Sequence, residues 1–343
     1  MSIIPGGAVE APRSWTTPEK HYLTVLENPW YRNLAVLQDV VTHSTTDFWT
    51  KRGARNLHLP VTTGSISSPM GRGSDSSPVK VELEGVPTYL ADSMQFVLEF
   101  GCRLAPEGSY YLMPSFRGEA ADETHLCQFF HSEAEIAGGL DDMMEVVEAY
   151  LRHLAGALLT HGREAVTGMA GTVHHLEELA GSGPLPRIAF EEAYGILKDL
   201  PGAVKELEPG CRSLTREGER VLMDKFGGYV WLTHPDHLSV PFYQAFDPQD
   251  PTKALSADLL FGVGETVGAG ERHTDVADLR RALDVHEVPE AAYEWYVTMN
   301  ERHPMRTSGF GLGVERFLLW ATQHDDIRDL ALLLRFNGAN ILP

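Results

Sequence analysis

Between Ser308 and Trp320 the chain reads Ser-Gly-Phe-Gly-Leu-Gly-Val-Glu-Arg-Phe-Leu-Leu-Trp, with glycines at 309, 311 and 313 and an arginine at 316. Successive side chains of a strand point to opposite faces, so glycines at every second position strip one face bare. A bare face lets a flat ligand come close to the backbone. An apolar helix then begins, and it carries Arg316, whose planar fork suits a phosphate. A glycine-softened strand running into a core helix gives the same pattern, so its meaning rests on its company.

The bulk properties narrow the field. A chain of 343 residues is one large domain with embellishments or two packed ones. No apolar run reaches the roughly 18 residues of a membrane span, and Met1-Ser-Ile-Ile-Pro-Gly-Gly lacks the basic and apolar regions of a signal peptide. Three scattered cysteines, Cys102, Cys127 and Cys211, point to the reducing cytoplasm and away from a disulfide framework or a zinc site. The fifteen histidines include no H-E-x-x-H, so metal ligation by histidine is not expected. A formal charge of −20 without any Lys/Arg run disfavours polyanions; DNA is not expected as a partner.

Residues 1–20 carry three prolines and little pattern, as in a tail or loose arm. Apolar spacing predicts helices over 30–49, 93–100 and 140–157, and a mostly helical, charged excursion over 160–225. Strands are expected at 56–61, 110–117, 126–136, 229–232, 255–263 and 310–314, with a hairpin joining 79–83 to 88–90 through Glu84-Gly-Val-Pro. The Gly/Ser/Pro-rich segment 62–78 reads as a loop, functional or merely connecting. Strands joined by hairpins and long excursions favour an α+β fold around an antiparallel sheet.

Three segments, taken in order, resemble the catalytic domain of class II aminoacyl-tRNA synthetases. Ser115-Phe-Arg117-Gly-Glu119 with His125-Leu-Cys-Gln-Phe129 is similar to the second signature motif, and Gly309 to Arg316 to the third. The helix leading to the strand with Pro60 is a looser match to the first, which in the family forms a dimer interface. Asp258 through Glu265 to Arg272 is similar to the aspartyl/asparaginyl subgroup and its archaeal asparagine synthetase relative. The likeness runs from about Trp30 to Arg335, so residues 21–343 are expected to form one class II-like catalytic domain, with a homodimer in the cytoplasm.

The resemblance implies roles. Arg117 would meet the α-phosphate of ATP and the substrate carboxylate, and Arg316 the γ-phosphate, with His125 adding a contact. Arginines aimed at charge that grows in a transition state are efficient catalysts. Phe129 would stack on adenine and Glu119 would read its amino group. Asp258 and Glu265 would hold Mg²⁺, which suits one or two carboxylates plus phosphate oxygens. Their odd separation requires an irregularity near Gly262 or Gly264 to bring them to one face. Arg272 would grip the side chain of an aspartate-like substrate, unless it is a structural arginine paired with Glu271 or Asp275. Glu133, with Ser93 and Gln95 nearby, falls where an acid meets the α-ammonium.

Departures from the family pattern shape the expected function. About thirty residues precede the first motif, too few for an anticodon-binding barrel. Thr124 stands where arginine is usual, and Asp92-Ser-Met-Gln replaces Gln-Ser-Pro-Gln. The sequence therefore favours a ligase that forms aspartyl-adenylate, or a close analogue's, and passes it to ammonia or another small amine. A truncated asparaginyl/aspartyl-tRNA synthetase paralogue is the alternative, which places tRNA behind a small amine as acceptor. A non-enzymatic module binding amino acid and nucleotide is a third reading, and the intact arginines and acids count against it.

Overall fold

Among the described residues, eight strands build one sheet: β1 (Arg55–Asn56), β2 (Ser109–Phe116), β3 (Gln128–Ala137), β4 (Arg187–Ala189), β5 (Val230–Thr233), β6 (Ser256–Phe261), β7 (Gly264–Glu271) and β8 (Thr307–Gly313). Their spatial order is β1-β2-β3-β8-β7-β6-β5-β4. The inner pairs are antiparallel and the two edge pairs parallel. The coordinates are a computed structural model that describes residues 8–67 and 77–342. An α+β architecture around an antiparallel-dominated sheet is the result, as the sequence predicts.

Strand alternation gives the sheet two characters. On one face Phe310 and Leu312 of β8, Val267 and Ala269 of β7 and Leu259 of β6 are buried in the main apolar core. Helices Pro29–Lys51, Leu140–His161 and Val314–Ala321 contribute to that core. Phe310 lies 6.0 Å from Trp49, ring centre to ring centre, and 5.7 Å from Tyr150. Full burial of such side chains contributes about 1.5–3 kcal/mol each. The helix Pro29–Lys51 starts cleanly: Asn28 accepts a bond from Trp30 N at 2.8 Å, and Pro29 occupies the first turn, where its missing N–H costs nothing. The opposite face is polar, and the candidate site stands on it.

Several expectations are refined. The described part of the expected loose arm is docked: Ser14 is buried, and Arg13 bonds Asp325 at 2.5 Å and approaches Asp329 at 3.2 Å. The strand expected at 56–61 shrinks to Arg55–Asn56. The hairpin is tighter than expected, joining Val79–Leu83 to Val86–Leu90 through a two-residue turn in which Glu84 (φ 52°) and Gly85 (φ 82°) are both left-handed. Within the excursion 160–225, Arg187–Ala189 supplies the far edge strand, and Val204–Glu206 pairs with Arg212–Leu214 as a small hairpin. Residues 68–76 of the expected loop lie outside the described residues.

β7 was not expected as a separate strand, because glycine, alanine and glutamate have low strand propensity. Its two neighbours impose it. A Cβ at Gly309 on β8 would overlap Glu135 Oε2 and lie 2.5 Å from Arg272 Nη2, whereas one at Gly183 would meet nothing. Gly309→Ala is therefore expected to lower stability by about 1–3 kcal/mol, and Gly183→Ala to stay within about 0.5 kcal/mol of the parent, both read from urea unfolding.

Candidate active site

Register decides which side chains face one another. Across β3, β8, β7 and β6, Glu133 pairs with Gly311, Gly311 with Gly268, and Gly268 with Asp258. One step along, Glu135, Gly309, Gly270 and Ser256 align in the same way. Four glycines thus form a trough two strands wide, with acids rising on both sides. The space the glycines leave is taken by polar side chains. A Cβ at Gly311 would stand 2.9 Å from Glu133 Oε1, and one at Gly270 would overlap Gln244 Oε1.

The trough belongs to a cavity of about 560 Å³. Arg117, His125, Phe129, Asp258, Glu265 and Arg316 line it, as do Ser93, Gln95, Glu133 and Arg272. Glu119 is the predicted site residue that does not. Its Oε1 accepts a bond from Ser77 N, and its Oε2 is buried without a partner.

One end is cationic. Arg117 sits 5.7 Å from the Phe129 ring centre, and its Nε is a buried donor with no acceptor. Such an orphan is costly unless a ligand satisfies it. Arg316, on the first turn of the helix Val314–Ala321, donates from Nη1 to the Glu265 carbonyl at 2.5 Å. Burial pushes Arg316 below the ordinary arginine range, and the nearby Arg117 adds to this. Burial likewise lowers His125, with Arg316 contributing. Three nitrogenous groups that repel one another across one cavity make a site for an anion.

Asp258 and Glu265 meet by the expected irregularity. Phe261 pairs with Gly264 across a tight turn in which Gly262 has φ +64°, and this returns Glu265 to the side of Asp258. Leu259 pairs with Val267 but Leu260 with Glu265, so Thr266 is a bulge. The bulge lets Gly268 share that face, where its Cβ would be 3.2 Å from Glu265 Oε1 and 3.7 Å from Asp258 Oδ1. Two hard carboxylates over a bare backbone fit Mg²⁺ completed by phosphate oxygens.

The other end is acidic, with a single guanidinium. Glu133 Oε2 accepts from Ser93 Oγ at 2.6 Å and from the Tyr111 hydroxyl, while Oε1 lies 3.2 Å from His131 Nδ1. Burial pushes Glu133 up to about 8. Gln95 Oε1 accepts from the Tyr243 hydroxyl at 3.2 Å. Arg272, 1% exposed, grips Glu135 with Nε and Nη2, both at 3.1 Å, and donates from Nη1 to Gln244 Oε1 at 2.8 Å. Neither Glu271 nor Asp275 is its partner: Glu271 pairs with Arg306 at 2.7 Å, and Asp275 caps the helix Val276–Val285. Glu99, 4.0 Å from Arg272, is pushed up to about 8 by burial and by Glu135.

The chain as a whole is similar to known proteins. Residues 14–336 fit the family described as tRNA synthetases class II (D, K and N). The chain belongs to this family. It is accordingly an ATP-dependent ligase of the class that forms an acyl-adenylate and releases AMP and pyrophosphate. The asparagine–tRNA ligase of Thermoplasma acidophilum is 26% identical over 303 residues, which span 87% of this chain and 68% of that protein. The enzyme of the same name from Thermococcus gammatolerans is 32% identical over 255 residues, 72% of this chain and 57% of that one. Asparaginyl-tRNA synthetase from Pyrococcus horikoshii, solved with asparaginyl-adenylate, superposes with a TM-score of 0.86 at 26% identity, covering 97% of this chain and 74% of that one.

Four cavity residues escaped sequence reasoning. His131 sits between the two ends, 2.9 Å from Ser115 Oγ, and is pushed down to about 3 by burial and by Arg117 and Arg316. Gln244 lies in a segment without periodicity, and Arg216 and Glu219 in the charged excursion. Strand alternation could have placed His131 with Glu133; the others carry no such signal. Asp92, left open by sequence, accepts from Ser67 N and Ser93 N through Oδ1, each at 3.0 Å, so it ties the end of the 62–67 segment to the site.

The raised Glu133 has two pH consequences. The folded protein keeps a proton that the unfolded chain releases, so this group's contribution to stability is full below about 4.5 and is lost as pH rises toward 8. An ammonium seated against Glu133 ionises it. Amino-acid binding near pH 7 should therefore release up to about one proton, read by calorimetry in buffers of different ionisation enthalpy. The release should vanish in Glu133→Gln.

Proposed function

We propose that this chain activates asparagine with ATP and passes the asparaginyl group to a tRNA. The observation that carries the choice of amino acid is the pairing of Arg272 with Glu135. Two of the five guanidinium N–H groups stay unpaired by Glu135 and Gln244. They can donate to a side-chain carbonyl, but the positive charge is already balanced. The name asparagine–tRNA ligase borne by the relatives supports the same amino acid. The sequence-based preference for aspartate gives way on this point. Transfer to ammonia finds no support among the relatives, and tRNA, placed behind a small amine on sequence grounds, is the acceptor their names favour.

The chemistry follows from the two ends. Glu133, with Ser93 and Gln95 around it, holds the α-ammonium and turns the α-carboxylate toward Arg117. A carboxylate oxygen attacks the α-phosphorus, the bond to the bridging oxygen breaks, and pyrophosphate leaves. Arg117 stabilises charge on the attacked phosphoryl group, and Arg316 the leaving phosphates. Phe129 offers a ring face for adenine. Mg²⁺ between Asp258 and Glu265 would supply charge neutralisation for the phosphates. In the second step a ribose hydroxyl of the tRNA attacks the acyl carbon, and AMP departs.

Asparagine should support ATP–pyrophosphate exchange with a kcat/KM at least about a hundredfold above aspartate. Arg272→Leu should abolish amino-acid use while nucleotide binding persists. A preference for aspartate would overturn the amino-acid assignment. Acylation of tRNA by labelled asparagine tests the acceptor, and amide formation from ammonium in its place would overturn that part alone. Glu265→Ala should lose exchange by about 10²-fold or more with unchanged unfolding behaviour.

A further inference from the structure

The helix Arg216–Lys225 begins beside the cationic end of the cavity, and its first turn is fixed from two sides. Thr215 caps it by accepting from Gly218 N at 3.3 Å. Gly218 lies against the Ala203 carbonyl, where a Cβ would overlap the oxygen. The first turn therefore packs closely against that backbone. Arg216 and Glu219, three residues apart, share one face of this turn and both line the cavity.

The Arg216 guanidinium lies over the loop that carries His125. Its Nη2 contacts Thr124 Oγ1 and lies 3.2 Å from His125 Nδ1 and 3.4 Å from Asp122 Oδ2; its Nη1 lies 3.2 Å from Glu123 Oε1. With its side chain 49% exposed, these ion pairs are weak and readily exchanged. Arg216 is also near enough to Arg316 and His125 to add to the lowering that burial causes in both. Glu219, pushed up to about 7 by burial and by Glu265, reaches toward Arg316 from the same turn. The first turn of a separate helix thus brings a further guanidinium to the group formed by Arg117, His125 and Arg316.

We propose that Arg216 is a third guanidinium of the nucleotide site, which exchanges its contacts with Asp122 and Glu123 for the terminal phosphates of ATP. The inference rests on the nucleotide reading of this cavity. Its chemical reason is that Thr124 is too short and uncharged to meet a phosphate, while Arg216 places its fork directly over it.

The test compares ATP with AMP, which lacks those phosphates, by equilibrium binding to the full chain. Arg216→Ala should weaken ATP by about 10- to 100-fold and leave AMP within about twofold. Arg216→Gln, which keeps a donor for Thr124 and Glu123 but no charge, should track the alanine variant, and Arg216→Lys should retain most of the affinity. Equal weakening of ATP and AMP would show that Arg216 only props the loop, and unchanged ATP affinity would remove it from the site; either result overturns the proposal. Failure of the unmutated protein to bind ATP would instead refute the nucleotide reading, and this inference with it.

Discussion

Arg272 and Glu135 face each other over a glycine, in a place where neither would sit for the sake of stability. Taking both charges out of water costs several kcal/mol per ion before their attraction repays it, and an apolar pair of similar volume is often as stable or more so. The pair exists here because the sheet was emptied to receive it. Gly309 clears the space above β8, Gly270 clears it for Gln244 above β7, and Phe310, next to Gly309, anchors the other face in the core. A side chain at Gly309 would collide with Glu135 and Arg272, and one at Gly270 with Gln244. The same trough gives Glu133 its place over Gly311 and the two metal-type carboxylates theirs over Gly268. One sheet face therefore carries the amino-acid end, the carboxylate pair and the path between them.

The polarity of the cavity follows from which elements supply its walls. The acids come from β3, β6 and β7, whose register fixes them to the sheet. The cations come from the periphery, Arg117 from just beyond β2 and Arg316 from the helix after β8, with His125 beside them on a loop. In the proposed reading that gradient aligns a substrate with an ammonium at one end and a polyphosphate partner at the other. His131, held neutral by its surroundings, separates the two ends without adding charge to either. Glu315 joins the halves mechanically, because its buried carboxylate accepts from Phe130 N at 3.0 Å and so ties the Arg316 helix to β3.

Much of this was legible in the sequence, and for a definable reason. The third-motif glycines announce a bare strand face by spacing alone, and the odd separation of Asp258 and Glu265 demanded a chain irregularity that the turn at Gly262 and the bulge at Thr266 provide. What could not be read was anything set by register. Glu135 and Arg272 are 137 residues apart, and only the alignment of β3, β8 and β7 makes them partners. β7 itself is a strand through its neighbours rather than its composition. Gln244 lies in a segment with no periodicity and Arg216 in the charged helical excursion, so where each points follows from tertiary contacts. The docked arm around Arg13 is a similar case, since the acids that hold it, Asp325 and Asp329, are over three hundred residues away.

The balance of charge at the acidic end bears on amide against carboxylate. For two unit charges about 5 Å apart, at an effective dielectric constant of about 20, the interaction is about 3 kcal/mol, roughly a hundredfold in binding. Arg272 offers that attraction to a ligand carboxylate, but Glu135 lies against the guanidinium and returns a repulsion of similar size. In the proposed reading Glu133 meets the ammonium, and Asp92 lies on the same acidic side. A carboxylate would then lose its hydration with no net charge to compensate it. A carboxamide loses far less on leaving water, and it needs only hydrogen bonds. Arg272 has two N–H groups left for its oxygen beyond those bonded to Glu135 and Gln244. An arginine that reads as a carboxylate clamp in the sequence is, in the structure, a guanidinium already paired with Glu135 and Gln244, and this is what favours the amide in the proposed reading.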